Sequence, residues 1–323
     1  MDERSPTTAI DAVLVVGFGG PAGPDEVLPF LRRVTRGRDV PAARLAAVAE
    51  RYLAFGGVSP IRGQLLDLTA ALDAAVPLPV YAANRNSPPE LADVVERMAA
   101  DGLRRAAVVV MTAYSAPSAC RAYRDAVHAA AAQVAGAPIL EMAALVHEDD
   151  GFRAPFVDGV RAALREHPDA VLVFTAHSVP VEQAESSRYV AQLQAVAAHI
   201  AGAVGHTDPV VVWQSRSGPP TVPWLEPDVA THLESLAGAG VRAVVVVPIG
   251  FTSDHIEVVF DLDVELQGTA RALGLTMVRV PTPGTDPRYV AALAASVQAR
   301  RDDPARSGDC CPDGERCCLS PGG

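Results

Sequence analysis

Two histidines and a row of acids are the residues best placed to do chemistry. His177 lies in Val173-Phe174-Thr175-Ala176-His177-Ser178-Val179-Pro180, and His255 in Phe251-Thr252-Ser253-Asp254-His255-Ile256-Glu257. Each follows a run of aliphatic and β-branched residues that reads as a buried parallel strand. Both therefore fall just beyond a strand's carboxyl end, where open α/β sheets place ligands. An imidazole beside a carboxylate suits proton removal and soft handling of a metal ion. Glu257, Asp261 and Glu265 follow at four-residue spacing. On a helix that spacing lines three like charges along one face, at a cost in stability. The functional reading is a path for hydrated cations inward or protons outward, since hard cations prefer oxygen ligands and imidazole suits iron. A solvated acidic face is the alternative. Of the other histidines, His128, His167, His199, His206 and His232 read as surface helix or loop positions. His147, followed by three acids, is ambiguous.

The cysteines are unevenly placed. Cys120 stands alone, while Cys310, Cys311, Cys317 and Cys318 crowd the C-terminal end. In a reducing compartment clustered thiols lean toward metal binding rather than disulfides. Adventitious zinc or uncomplexed thiols are the alternative.

The elements that must position these groups alternate. Strands are expected at 11–17, 78–83, 106–112, 138–141, 170–175, 209–213, 242–248 and 275–280. Helices are expected at 25–36, 41–54, 62–74, 89–101, 119–134, 152–165, 181–203, 227–238, 256–272 and 286–299. Strands alternating with helices imply βαβ units, parallel sheets and an α/β, doubly wound fold. The chain also echoes itself. Residues 12–21 resemble 170–180, and Gly102-Leu103-Arg104-Arg105-Ala106 onward resembles Gly240-Val241-Arg242-Ala243 onward. Two similar domains with a cleft between them are one reading, and chance likeness among Ala/Val-rich strands is the other. The expected division is 8–150 and 151–285, with helix 286–300 packing back on the first domain. Residues 301–323, rich in charge, Pro and Gly, form a Cys-rich tail.

Composition narrows the class. With 323 residues, 49 % hydrophobic and 20 % charged, the chain reads as soluble and globular. Aromatics are only 5 %, so the core is aliphatic, as parallel sheets under Ala-rich helices require. A net charge of −11 argues against nucleic acid. Charge can still be local: Arg32, Arg33, Arg36 and Arg38 cluster. No apolar run approaches the roughly 20 residues of a membrane span. The N-terminus lacks a secretory pattern, so the cytoplasm is the expected compartment.

Three loops look like cleft walls. Gly17-Phe18-Gly19-Gly20-Pro21 follows the first strand, but a third fingerprint glycine would fall at Ala22, so a nucleotide site is disfavoured. Close backbone approach to a flat ligand is the better use of these glycines. Phe55-Gly56-Gly57-Val58-Ser59-Pro60-Ile61 is a second glycine loop. Asn84-Arg85-Asn86 follows a strand end.

Taken together these segments resemble the ferrochelatases of the actinobacterial type. The match runs nearly end to end. It adds Val34-Thr35-Arg36-Gly37-Arg38, Trp213-Gln214-Ser215-Arg216-Ser217-Gly218-Pro219-Pro220, Trp224-Leu225-Glu226-Pro227 and Ser253-Asp254-His255-Ile256-Glu257 to the loops above. The resemblance implies two Rossmann-like, chelatase-type domains flanking a porphyrin cleft. It implies a lyase that inserts ferrous iron into a porphyrin. Coproporphyrin III, giving coproheme in haem biosynthesis, is the expected substrate, with protoporphyrin IX as the alternative. A sirohydrochlorin chelatase and a non-catalytic tetrapyrrole carrier are more distant rivals.

By the same resemblance His177 and Glu257 are the catalytic and iron-contacting residues, on opposite faces of the ring. His255 supports Glu257, and Asp261 and Glu265 form the acidic path behind it. Porphyrin contacts fall to Phe18, Arg33, Arg36, Arg38, Ser59, Tyr123 and Trp213. Phe18 stands where some relatives carry Tyr or Met, so no axial ligation is expected there. Ser87 replaces a large aromatic, which implies a wider or wetter cleft locally. Some ferrochelatases hold a [2Fe–2S] cluster on one upstream cysteine and three near the C-terminus. Cys120 with three of Cys310, Cys311, Cys317 and Cys318 fits that set, though the tail spacing does not copy the relatives'. Implied partners are porphyrin, ferrous iron and a downstream haem-pathway enzyme.

Overall fold

In the computed structural model, which describes residues 9–37, 40–219 and 221–303, the chain forms two compact units. One comprises the described residues up to Met111, Ala122–Ala144, and the last helix from Leu293 onward. The other comprises Thr112–Arg121 and Leu145–Ala292.

Each unit is built on a four-stranded parallel sheet. The first unit contains β1 (Ala12–Gly17), β2 (Val80–Asn84), β3 (Arg105–Val110) and β4 (Ile139–Met142), in spatial order β2-β1-β3-β4. The second contains β5 (Val171–His177), β6 (Val210–Gln214), β7 (Ala243–Val247) and β8 (Thr276–Arg279), in the order β6-β5-β7-β8. The two orders are the same. The internal echo thus falls on equivalent strands: the 12–21 and 170–180 segments are β1 and β5, and the two Gly-x-Arg segments lead into β3 and β7.

The eight strands lie within a few residues of the eight apolar runs. Every residue of β1 is buried, and Val244–Val247 of β7 are fully enclosed. Helices cover both faces of such strands, which is why they read as unbroken aliphatic runs rather than alternating ones. Each Val or Leu so enclosed contributes about 1.5–3 kcal/mol relative to remaining exposed. In the second unit β5, β6 and β7 pack on Val229, Leu233, Val258, Leu262, Leu266 and Ala270.

The expected helix 119–134 is kinked at Ala119 and regular over Ala122–Ala131, and two further helices depart from the expectation. The segment 181–203 is broken into Val181–Glu185 and Tyr189–Ala203. The hydroxyls of Ser186 and Ser187 donate back to the Gln183 carbonyl, at 3.3 and 2.7 Å, in competition with the helical ladder. The segment 256–272 is continuous but contains a π-turn over Asp261–Leu266. Its buried residues Val258, Leu262, Leu266 and Ala270 recur every fourth position. An ideal α-helix would rotate such a stripe by ~40° per step. The wider π-turn takes up part of that drift and keeps the stripe on the core.

Among the described residues, no helix is long and apolar enough to cross a membrane.

Candidate active site

The strand order reverses between β5 and β7, the switch point at which open sheets form a crevice. His177 is the last residue of β5, in register with Gln214 at the end of β6. The segment Pro248–His255 leaves β7 beside it. Gly250 lets this segment come close: its N–H donates to the Thr175 carbonyl at 3.1 Å, and a Cβ there would meet Ala176 Cβ at 2.5 Å. The loop delivers His255 as the N-cap of helix Ile256–Phe260, with Glu257 in its first turn.

His177 Nε2 stands 3.7 Å from Glu257 Oε1. The opposite ring nitrogen, Nδ1, lies 2.5 Å from the Ser178 carbonyl, and the hydroxyl of Tyr189 donates to the His177 carbonyl at 3.0 Å. His255 Nδ1 accepts the Glu257 backbone N–H at 3.2 Å, which places a neutral ring's proton on Nε2. The Phe251 ring meets His255 edge-on at 5.0 Å. Gln214 Nε2 donates to the Glu257 carbonyl at 2.8 Å, and the Ser215 hydroxyl donates to Asp261. Glu257 is 46 % exposed, so its carboxylate is within reach of a ligand. Glu265, one step on, is exposed.

The two imidazoles are tuned in opposite directions. Burial alone would lower His177, but the charge of Glu257, a hydrogen bond to it, the Ser178 carbonyl and the charge of Asp261 together hold it above the ordinary value. His255 is lowered, chiefly by burial, which outweighs the carboxylates of Glu257 and Asp254. His255 and Glu257 therefore meet as a neutral ring and a carboxylate, although Nδ1 and Oε2 are 3.9 Å apart. A pair of titratable groups pushed apart around one carboxylate is the pattern of acid–base sites.

By resemblance, His177 and Glu257 are expected on opposite faces of a ring. Here they stand 3.7 Å apart, less than the about 7 Å, twice a van der Waals separation, that a flat ring between two groups needs.

The remaining expected residues separate by unit. Trp213 is buried and packs on Tyr189, ring centroids 6.0 Å apart. Cys120 is also in the second unit, wholly buried, with its Sγ 3.8 Å from the Ala116 carbonyl. Phe18, Arg33, Arg36, Ser59 and Tyr123 belong to the first unit. The Arg85 guanidinium lies 5.9 Å from the centre of the Phe18 ring and 5.2 Å from that of Tyr123. Arg33 pairs with Glu90 at 3.2 Å, and Arg36 is exposed. Arg38, Cys310, Cys311, Cys317 and Cys318 lie outside the described residues. Among the described residues, no group of three or more His, Cys, Asp or Glu side chains is arranged to hold a metal ion.

The glycine loop after β1 is used differently from the expectation. A Cβ on Gly20 would lie 2.3 Å from Ser59 Cβ, so the chain itself fills the space. Ser87 is buried and its Oγ accepts the Gly20 N–H at 3.1 Å. The small residue at 87 thereby ties this loop to the chain segment after β2.

Comparison with known proteins settles the family. The ferrochelatase family model matches residues 10–301. The chain belongs to the ferrochelatase family. A coproporphyrin III ferrochelatase from Frankia alni is 50 % identical over 321 residues, covering 94 % of this chain and 83 % of that one. One from Mycobacterium marinum is 47 % identical over 317 residues, covering 96 % and 93 %. Among solved structures, the sirohydrochlorin chelatase SirB from Bacillus subtilis subspecies spizizenii, in complex with cobalt, superposes with a TM-score of 0.56. It is 15 % identical and the match covers 93 % of this chain and 99 % of that one, a likeness of fold alone. This ferrochelatase-family chain thus shares the two-domain chelatase architecture with enzymes of very different sequence.

Sequence reasoning missed Tyr189, Gln214 and Ser215 as parts of the site. The signal for the latter two was available: they follow a predicted strand directly, the rule that singled out His177.

Proposed function

We propose that this protein inserts ferrous iron into coproporphyrin III, releasing two pyrrole protons and yielding coproheme for haem synthesis in the cytoplasm. The observation that supports this most is the His177–Glu257 pair, set at the switch point in a chain whose near full-length relatives are named for that reaction. A free-base porphyrin must lose two N–H protons as the metal enters. A neutral His177 Nε2 and the Glu257 carboxylate are two acceptors on one side of the ring, which fits the requirement. Asp261 and Glu265 continue the acidic row, where oxygen ligands suit a hydrated divalent ion on its way in. Arg33 and Arg36 are the cations we assign to the propionates. The test is anaerobic metallation with ferrous iron, coproporphyrin III against protoporphyrin IX. Faster turnover of coproporphyrin III is expected, and equal or reversed rates would reject the assignment.

We further infer a [2Fe–2S] cluster on Cys120 and three of the four tail cysteines. The donor set suits it in kind and number, since such clusters take four thiolates and five thiols are present. When bound, the cluster would supply a one-electron redox centre. Anaerobically isolated protein should absorb in the visible, and Cys120→Ser should lose that colour. A colourless, zinc-containing protein would overturn the inference.

A further inference from the structure

Arg279 ends β8, with no resemblance or motif to mark it. It nevertheless joins two carboxylates and a backbone carbonyl. Its Nε and Nη2 donate to the two oxygens of Asp263 at 2.5 and 2.9 Å. Nη1 and Nη2 donate to the two oxygens of Asp254, each at 3.2 Å. Nη1 also donates to the Val280 carbonyl at 3.3 Å. All five N–H groups of the guanidinium are thereby engaged. Thr282 adds a second hold on Asp254, its hydroxyl donating at 2.8 Å.

The two carboxylates bracket the active segment. Asp254 immediately precedes His255, and Asp263 lies in the π-turn that begins at Asp261. One rigid fork therefore ties both ends of the stretch carrying Glu257 and Asp261. Gln214 and Ser215 hold the same stretch from β6, through the Glu257 carbonyl and the Asp261 carboxylate. Arg279 is only 16 % exposed and Asp254 26 %, so water competes weakly for the bonds to Asp254, while Asp263 is the more exposed partner. A π-turn replaces the i→i+4 bonds of an α-helix with i→i+5 ones, so side-chain bonds from outside help to fix its register.

The geometry points to Arg279 as a positioning residue: its clamp on Asp254 and Asp263 sets where Glu257 and Asp261 stand. It acts through that segment. The role in turnover rests on the iron-insertion reading; the clamp itself does not.

Two variants test it. Arg279→Lys keeps the charge but loses the planar fork, and Asp263→Asn releases the π-turn at its more exposed end. Both should fold, as judged by circular dichroism, and keep a porphyrin KM within about twofold. Their kcat per porphyrin-binding molecule should fall roughly ten- to a hundredfold, the scale of an ångström-sized misplacement. The double variant should be no worse than the poorer single one, because both break one clamp. Hydrogen exchange of the 256–266 amides, which needs no substrate, should rise in both. Unchanged exchange, or full kcat in Arg279→Lys, sinks the inference even if the wild type metallates coproporphyrin III. A wild type that does not metallate it sinks the functional reading and the positioning role together, whatever the exchange shows.

Discussion

His177 Nε2 and Glu257 Oε1 lie 3.7 Å apart, one at the end of β5 and the other in the first turn of the helix that His255 caps. This closeness links the protonation of one to the charge of the other. The carboxylate helps hold the imidazole above its ordinary value of 6.5 despite burial. Folded protein therefore binds the His177 proton more tightly than unfolded protein. That contribution to stability is complete below about pH 6.5 and disappears as pH climbs through the higher folded midpoint. Titration of the His177 ring by NMR should give a midpoint above 6.5, and Glu257→Gln should move it down. A midpoint at or below 6.5 in the wild type would contradict the geometry. Since only neutral imidazole accepts a proton, kcat/KM should rise with pH through the same midpoint.

Removal of either partner separates chemistry from binding. His177→Ala and Glu257→Gln should each lower metallation by roughly 10²–10⁴-fold, the range of a lost general acid–base group. Porphyrin should still bind, because neither change removes a propionate partner. Fluorescence titration with coproporphyrin III, alongside stopped-flow metallation, measures both. Near-normal turnover in either variant would remove these residues from the mechanism.

The loop after β1 makes a stability prediction independent of catalysis. Gly20→Ala would drive a methyl group to within 2.3 Å of Ser59 Cβ, inside a buried contact. Overpacking of this kind costs typically about 1–3 kcal/mol. Chemical denaturation should show that loss, and Ser59→Gly in the same chain should recover part of it. A Gly20→Ala protein as stable as the wild type would show that the loop yields.

The parallel sheets, their strands and both histidine positions were legible because burial on both faces leaves an unbroken aliphatic signature. The rule that ligands gather at strand ends then singled out His177 and His255. Sidedness was not legible. Whether Glu257 faces His177 or opposes it depends on the path of Gly250–Asp254, and that path is set by contact with Ala176 on another strand. The use of Gly20 was hidden for the same reason, since its neighbour Ser59 is far off in sequence. The break at Ser186 and Ser187 was readable in principle from two adjacent hydroxyl residues inside an expected helix. Arg279 had no sequence signal, because its partners Asp254 and Asp263 meet only through the fold.

Tyr189 offers the last test. Its hydroxyl donates to the backbone carbonyl of His177 at 3.0 Å, and burial raises its pKa so that the donor proton stays in place. Trp213 and Tyr114 rings lie against it, 6.0 and 6.2 Å away, so a Phe would keep the packing while losing the bond. Leaving one buried carbonyl unsatisfied costs about 1–3 kcal/mol. Tyr189→Phe should therefore unfold at lower denaturant with an unchanged slope. Because the lost bond anchors the turn that presents the imidazole, kcat should fall while porphyrin affinity holds. If stability and kcat both match the wild type, the hydroxyl has no part in holding His177.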